Sequence, residues 1–438
     1  MKKALLVLMA FLLAPLGFAI SAEPTSKVTA LKAAWLWDGV SETRIPEAVV
    51  VIEGDRILAA GSRVSIPKGA RVIDLGSATI LPGLIDAHTH LLLNEDVRQS
   101  ESGMDIVAPV VMTGTTKRAL RGASLAREYL EAGFTAVRDV GNGGQGGDLA
   151  LRDAIREGWV EGPLMLASGR AITGPRGQYQ WLPEEHRGLV AQEYAPVLDA
   201  ASAVRAVRFA VAEKADLIKV ILDPTFSKED LATIVAEAHR LNRKVAAHAT
   251  SEYEVLLAAE CKVDSIEHGT QGVPVEAIRL MAKNHTYFVP TAMSRLLAQR
   301  LYVDALGLAP EQAKQNEAEN EKWLASMRDV ILAARDAGIP IVLGSDLYHQ
   351  IPGLTRGQGA REALFGLVEA GLRPVEALRA ATANAADLMG RGDALGRVKA
   401  GYSANLLVVA GNPLEDIHVL AQIKHVVLQG RMKAPSTD

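Results

Sequence analysis

The sequence predicts an α/β protein of the (β/α)8 class, a TIM-type barrel with extra strands contributed by both chain ends. Three observations carry this expectation. Eight short apolar runs, residues 84–89, 134–140, 164–169, 217–222, 245–249, 265–268, 287–291 and 341–345, alternate with helix-like stretches, the pattern of a parallel sheet. Histidine, lysine or aspartate stands in or at the end of six of these runs, and a barrel gathers its strand ends on one face. Short alternating runs bounded by turn residues recur at the two extremities.

In chain order, the first element is a leader. Met1-Lys2-Lys3 is a short basic start, residues 4–20 are apolar, and Ser21-Ala22 places a small residue before Glu23-Pro24. Pro15 and Gly17 break the apolar run, so residues 1–22 read as a signal peptide and not as a spanning helix. The expectation is a periplasmic or secreted protein with no stable membrane association after cleavage. Residues 48–61 and 70–75 then alternate as strands, and matching strands at 405–410 and 423–430 are expected to pair with them.

Pro82-Gly83 lets the chain enter the first barrel run sharply, and that run ends in Asp86-Ala87-His88-Thr89-His90. Alternate strand side chains share a face, so His88 and His90 project together and can grip one divalent metal. Alone, such a pair is better explained as two surface histidines in a turn. Downstream, Lys219 lies inside an apolar run, His248 and His268 end two further runs, and Asp346 follows Gly344-Ser345. One barrel mouth would collect all six. Between them, residues 228–241 repeat apolar side chains at helical spacing.

The set His88, His90, Lys219, His248, His268 and Asp346, in that order, resembles the binuclear-metal branch of the amidohydrolase superfamily. The surroundings of Arg138-Asp139, Lys219, His248-Ala249-Thr250, Glu267-His268-Gly269 and Ser345-Asp346 look most like its prolidase-type (Xaa-Pro or Xaa-Arg/Lys) dipeptidases and its ochratoxin A amidohydrolases. The resemblance covers nearly the whole chain after the leader. It implies one β-sandwich from residues 27–83 and 394–433 beside a hydrolase barrel of residues 84–393. It also implies that carbon dioxide carbamylates Lys219, turning a costly buried cation into an anion that bridges two divalent ions, expected as zinc. His88, His90 and Asp346 would hold the first ion and His248 with His268 the second, a hydroxide lying between them. Asp346 is the expected proton shuttle.

Two loops are expected to select the substrate. Residues 91–116 form a connection longer than most, and residues 172–183 gather Arg176, Tyr179 and Trp181. Arg176, Tyr253 and Arg295 are candidates to hold a substrate carboxylate, arginine because its planar fork matches that group. His349 is placed to line the mouth, and Arg138 with Asp139 reads as a structural ion pair. The expected substrate is a small-molecule amide or dipeptide cut beside a C-terminal carboxylate. A cyclic amide or lactone is the second reading, and a non-catalytic binding protein the third. A net charge of -4 without long basic runs leaves no electrostatic footprint for nucleic acid. The single cysteine, Cys261, excludes an intramolecular disulfide and reads as a small core residue. A homo-oligomer is expected.

Overall fold

A computed structural model describes residues 28–98, 104–179 and 181–433; the leader expected at residues 1–22 lies outside them. Among the described residues no helix is long and apolar enough to cross a membrane.

Both chain ends enter one eight-stranded sheet. The two ends meet where Thr79–Pro82 runs antiparallel to Leu406–Val409, Leu81 opposite Leu407 and Ile80 opposite Val408. The expected pairing of the ends is therefore present, within one continuous hydrogen-bonded sheet. The reason lies in Val28–Leu36, which pairs with Ile45–Glu53 along one edge. Its other edge serves Arg71–Asp74 near its start and Thr79–Pro82 near its end. Leu31, Val50, Ile52, Ile80, Leu406 and Val408 fill a core on one face of this sheet.

The central residues form two parallel sheets. One contains Leu84–Thr89, Phe134–Asp139 and Leu164–Ala167. The other runs, in spatial order, Tyr194–Pro196, Ala171–Thr173, Ile218–Ile221, Val245–Ala249, Ser265–His268 and Tyr287–Val289. Seven of the eight expected runs are thus strands, with ends shifted by at most two residues. The third stops at Ala167, because Gly169 turns the chain with φ +65° before it resumes as Ala171–Thr173.

The eighth run, residues 341–345, is not a regular strand. Leu343 N leaves the sheet for the Ala380 carbonyl, and the segment is held by two hydrogen bonds to each neighbour. Phe288 N donates to Pro340 O and Val342 N to Phe288 O on one side; Ala87 N donates to Leu343 O and Asp346 N to His88 O on the other. Those last two bonds bring Asp346 beside His88. Asp216 N likewise donates to Ala167 O, tying the two parallel sheets together.

Helices cover the sheets as their patterning predicts. In Lys228–Arg240, the Ser227 side chain accepts from Asp230 N at the start, and Leu231, Ile234, Val235 and Ala238 form the buried stripe. Burying each of the larger three contributes about 2 kcal/mol. The expected long loop at 91–116 is in part helical, with Met104–Met112 inside it. Val107 of that helix is buried, and with Ile106 and Val110 it packs on Tyr179, Val190, Tyr194 and Ile221. This helix caps the C-terminal ends of the strands.

Candidate metal centre

The six residues singled out from the sequence line one cavity of about 80 Å³. His88 and His90 come from the end of Leu84–Thr89 and Lys219 from Ile218–Ile221. His248 and His268 come from the next two strands and Asp346 from the irregular eighth segment. Ring centroids lie 5.2 Å apart for His88 and His90, 5.0 Å for His88 and His268, and 4.4 Å for His248 and His268. Asp346 Oδ1 stands 3.4 Å from His88 Nε2 and 3.2 Å from His90 Nε2. His268 and Asp346 both adopt left-handed backbone, φ +77° and +52°, a conformation that costs energy for a residue with a Cβ and that clusters at functional sites.

Each imidazole is held from behind. His88 Nδ1 donates to Glu267 Oε2 at 2.8 Å, and His90 Nδ1 to the Gly141 carbonyl at 3.0 Å. His268 Nδ1 meets Thr291 Oγ1 at 3.1 Å. With its Nδ1 proton committed, a neutral imidazole turns a bare lone pair outward at Nε2. In that form the lone pairs of His88 and His90 would face a carboxylate oxygen, acceptor against acceptor, a contact relieved by a proton or a metal cation between them. His88 Nε2, His268 Nε2 and Lys219 Nζ are buried without a hydrogen bond, although nearly all buried polar atoms have one. Ligand atoms of His88, His90 and Asp346 lie within 4.8 Å of one another. The donor set therefore fits a divalent metal.

Electrostatics points the same way. Burial, reinforced by the charge of Lys219, pushes His248 down to about 3, so its imidazole is neutral, the form that binds metal. Burial holds His268 well below its usual range too. Burial lowers Lys219 to about 8, although Glu267 and Asp346 pull it back up. For Asp346 and Glu267 burial alone would raise the carboxyl. His88 and His90 outweigh it at Asp346, and Arg138 and His88 at Glu267, so both stay ionised.

Behind the ligands, Glu267 accepts from Arg138 at 2.8 Å and from Ser265 Oγ at 2.5 Å while it orients His88. Arg138 also donates to the Ala87 carbonyl at 2.5 Å. This corrects the expected Arg138–Asp139 pair. Adjacent strand residues face opposite ways, so Asp139 instead accepts from Leu91 N at 2.6 Å and Thr89 Oγ1 at 3.2 Å.

The four substrate-binding candidates do not line the cavity. Arg176 is exposed on the turn after Ala171–Thr173. Tyr253 is 55% exposed, its hydroxyl reaching Phe226 O at 3.5 Å. Arg295 already has its fork on Glu321 at 2.8 Å and Glu369 at 3.5 Å. His349 is buried beside Glu95, and its neighbour Tyr348 faces the metal site, edge-on to His90 at 6.1 Å. Ile106 and Gln178 belong to the two runs expected to select the substrate, though neither was singled out, and Tyr348, Asn142 and Ile221 were missed as lining residues. Ile221 carried a signal of its own, standing two positions after Lys219 on one strand face. At about 80 Å³ the cavity is smaller than the roughly 300 Å³ or more typical of ligand sites, and Ile106 of the capping helix forms part of its wall.

Residues 79–433 match the sequence profile described as "Amidohydrolase family". An ochratoxinase from Aspergillus niger is 30% identical over 447 residues, spanning 93% of this chain and 86% of that protein. A solved Xaa-Pro dipeptidase with methionine bound in its active site superposes with a TM-score of 0.77 at 27% identity, covering 93% of this chain and 100% of its own. A prolidase complexed with N-methylphosphonate-L-proline does so with a TM-score of 0.77 at 27% identity, covering 93% and 99%.

Proposed function

This chain belongs to the amidohydrolase family, a hydrolase acting on C–N bonds, and we propose that it cuts the amide bond beside a C-terminal carboxylate in dipeptides and N-acyl amino acids, ochratoxin A among them. The observation that carries the reading is the convergence of outward lone pairs of His88 and His90 on the Asp346 carboxylate. Methionine and N-methylphosphonate-L-proline, bound in two related structures, both carry a free carboxylate, which supports that substrate class.

In this reading His88, His90 and Asp346 would hold one divalent ion and His248 with His268 a second, and a carbamylated Lys219 would supply an anion to both. Zinc suits an imidazole and carboxylate set. A pKa near 8 supports carbamylation, since the neutral amine is the form that attacks carbon dioxide. The bound pair supplies a Lewis acid for the scissile carbonyl and acidifies water. The chain's own residues do the rest. Glu267, Gly141 and Thr291 fix the three rings, and a carboxylate oxygen of Asp346 takes the proton of the attacking water and returns it to the leaving nitrogen. The capping helix excludes bulk water during the reaction.

The reading sets this site at the C-terminal mouth of a closed eight-membered barrel. Bonds from residues 340–346 to both neighbouring strands support that closure. The basic and apolar start of the chain supports export. The test is a screen of dipeptides, N-acyl amino acids and ochratoxin A with zinc and bicarbonate supplied, each substrate paired with its C-terminal amide. Strong preference for the free acid is expected. Equal kcat/KM for acid and amide would favour a cyclic amide or lactone substrate instead. The absence of arginine from the described cavity lining is what keeps that second reading open.

A further inference from the structure

Two neutral amides in the cavity wall remain unused by the chemistry above. Asn142 and Gln178 both line the metal cavity, and behind it both bind the same hydroxyl. Asn142 Nδ2 donates to Tyr194 Oη at 3.0 Å, and Tyr194 Oη donates to Gln178 Oε1 at 2.8 Å. A hydroxyl owns one proton, so the two amides cannot both turn their oxygens toward it. Gln178 is left with its NH2 for the cavity and Asn142 with its carbonyl oxygen. If both amides were flipped, the cavity would still see one donor and one acceptor.

This pair is preorganised. Tyr194 is fully buried and packs on Tyr179 with ring centroids 5.3 Å apart. Arg118, itself buried and paired with Glu193, holds the Asn142 backbone carbonyl. Glu193 also accepts from Gly144 N at 3.3 Å. Such a framework resists side-chain rearrangement on binding, as a specificity element requires.

We infer that Tyr194, acting through Asn142 and Gln178, sets a donor–acceptor pair that reads a secondary amide in the acyl portion of the substrate. A secondary amide offers one N–H and one C=O, the complement of the pair. A carboxylate offers acceptors only and would meet the Asn142 oxygen unfavourably, so this wall is not where the free carboxylate sits. The inference rests on the hydrolase reading above and deepens it. Asn142 and Gln178 touch substrate, whereas Tyr194 is a positioning residue.

The test compares N-acetylglycyl-alanine with N-acetylsarcosyl-alanine, in which methylation removes the acyl-side N–H. The zinc-loaded wild type should prefer the N–H substrate by about tenfold or more in kcat/KM, because a buried acceptor left unmatched is costly. Tyr194→Phe keeps the ring packing and frees both amides to turn, so the preference should fall several-fold, through KM and not kcat, with bound zinc unchanged. Gln178→Glu removes the donor and should raise KM about tenfold for both substrates at similar kcat. Equal preference in wild type and Tyr194→Phe, with unchanged KM in Gln178→Glu, would overturn the inference and leave the hydrolase reading standing. No turnover of either substrate by zinc-loaded wild type would remove that reading and the inference with it.

Discussion

Replacing Glu267 by glutamine should expose how much the centre depends on the layer behind its ligands. The carboxylate is fully buried and serves His88 at 2.8 Å, Arg138 at 2.8 Å and Ser265 at 2.5 Å. Glutamine keeps the shape but removes the charge. Arg138, 2% exposed, would then be a buried cation without a counter-charge, and breaking such a pair costs about 3–5 kcal/mol. The glutamine NH2 must also face either the His88 Nδ1 proton or the Arg138 guanidinium, donor against donor. Loss of an outer partner of this kind typically weakens metal binding by about 10- to 100-fold. Denaturant midpoints of the metal-free proteins and chelator competition for zinc would read the two effects separately. Arg138→Met combined with Glu267→Gln should be more stable than Glu267→Gln alone, since no unpaired charge remains. A single variant as stable as wild type, holding zinc within about twofold of its affinity, would refute this account of the tether.

Lys219→Ala should lose at least one bound metal and most activity, because two cations brought together without a bridging anion repel; metal analysis showing two ions and full turnover would dismiss the bridge. Asp346→Asn at full metal occupancy should lower kcat by roughly 10²- to 10⁴-fold with KM little changed, and a near-normal kcat in steady-state assays would assign the shuttle to another group. Burial, and then the charge of Asp148, raises the Asp139 carboxyl to about 7. The folded protein therefore holds that proton more tightly than the unfolded chain. The stability it contributes is full below about pH 4 and is lost as pH rises through about 7. Asp139→Asn should accordingly stabilise the metal-free protein at pH 8 relative to pH 4, by on the order of 4 kcal/mol at most. A difference between variant and wild type that stays flat with pH in denaturant titrations would count against it.

That His88, His90, Lys219, His248, His268 and Asp346 would share one cavity was legible because the signal is local. Strand alternation places His88 and His90 on one face, and a barrel mouth brings distant strand ends together without any pair needing to be foreseen. The substrate wall depends on contacts between distant segments. Arg295 looked available until Glu321 and Glu369, remote in sequence, occupied its fork. Glu267 was visible beside His268, but its bond to His88 follows only from where the two strands sit in the fold. His349 and Tyr348 exchanged roles through a one-residue shift, which swaps the facing of a side chain in an extended segment. The Met104–Met112 helix lies inside the connection 91–116 that was expected as a long loop, and it is held there by packing on Tyr179, Tyr194 and Ile221. The eighth run matched a strand by composition, yet the bond from Leu343 N to Ala380 O, outside the sheet, leaves it irregular.

The central claim, hydrolysis by a paired-metal centre built on His88, His90, Lys219, His248, His268 and Asp346, is tested most directly by titrating zinc into metal-free protein while following turnover of an N-acyl amino acid. Activity should be absent without metal and rise to its maximum at two zinc ions per chain, with bicarbonate present. Full turnover by the metal-free protein, or a maximum reached with no bound zinc, would contradict the account.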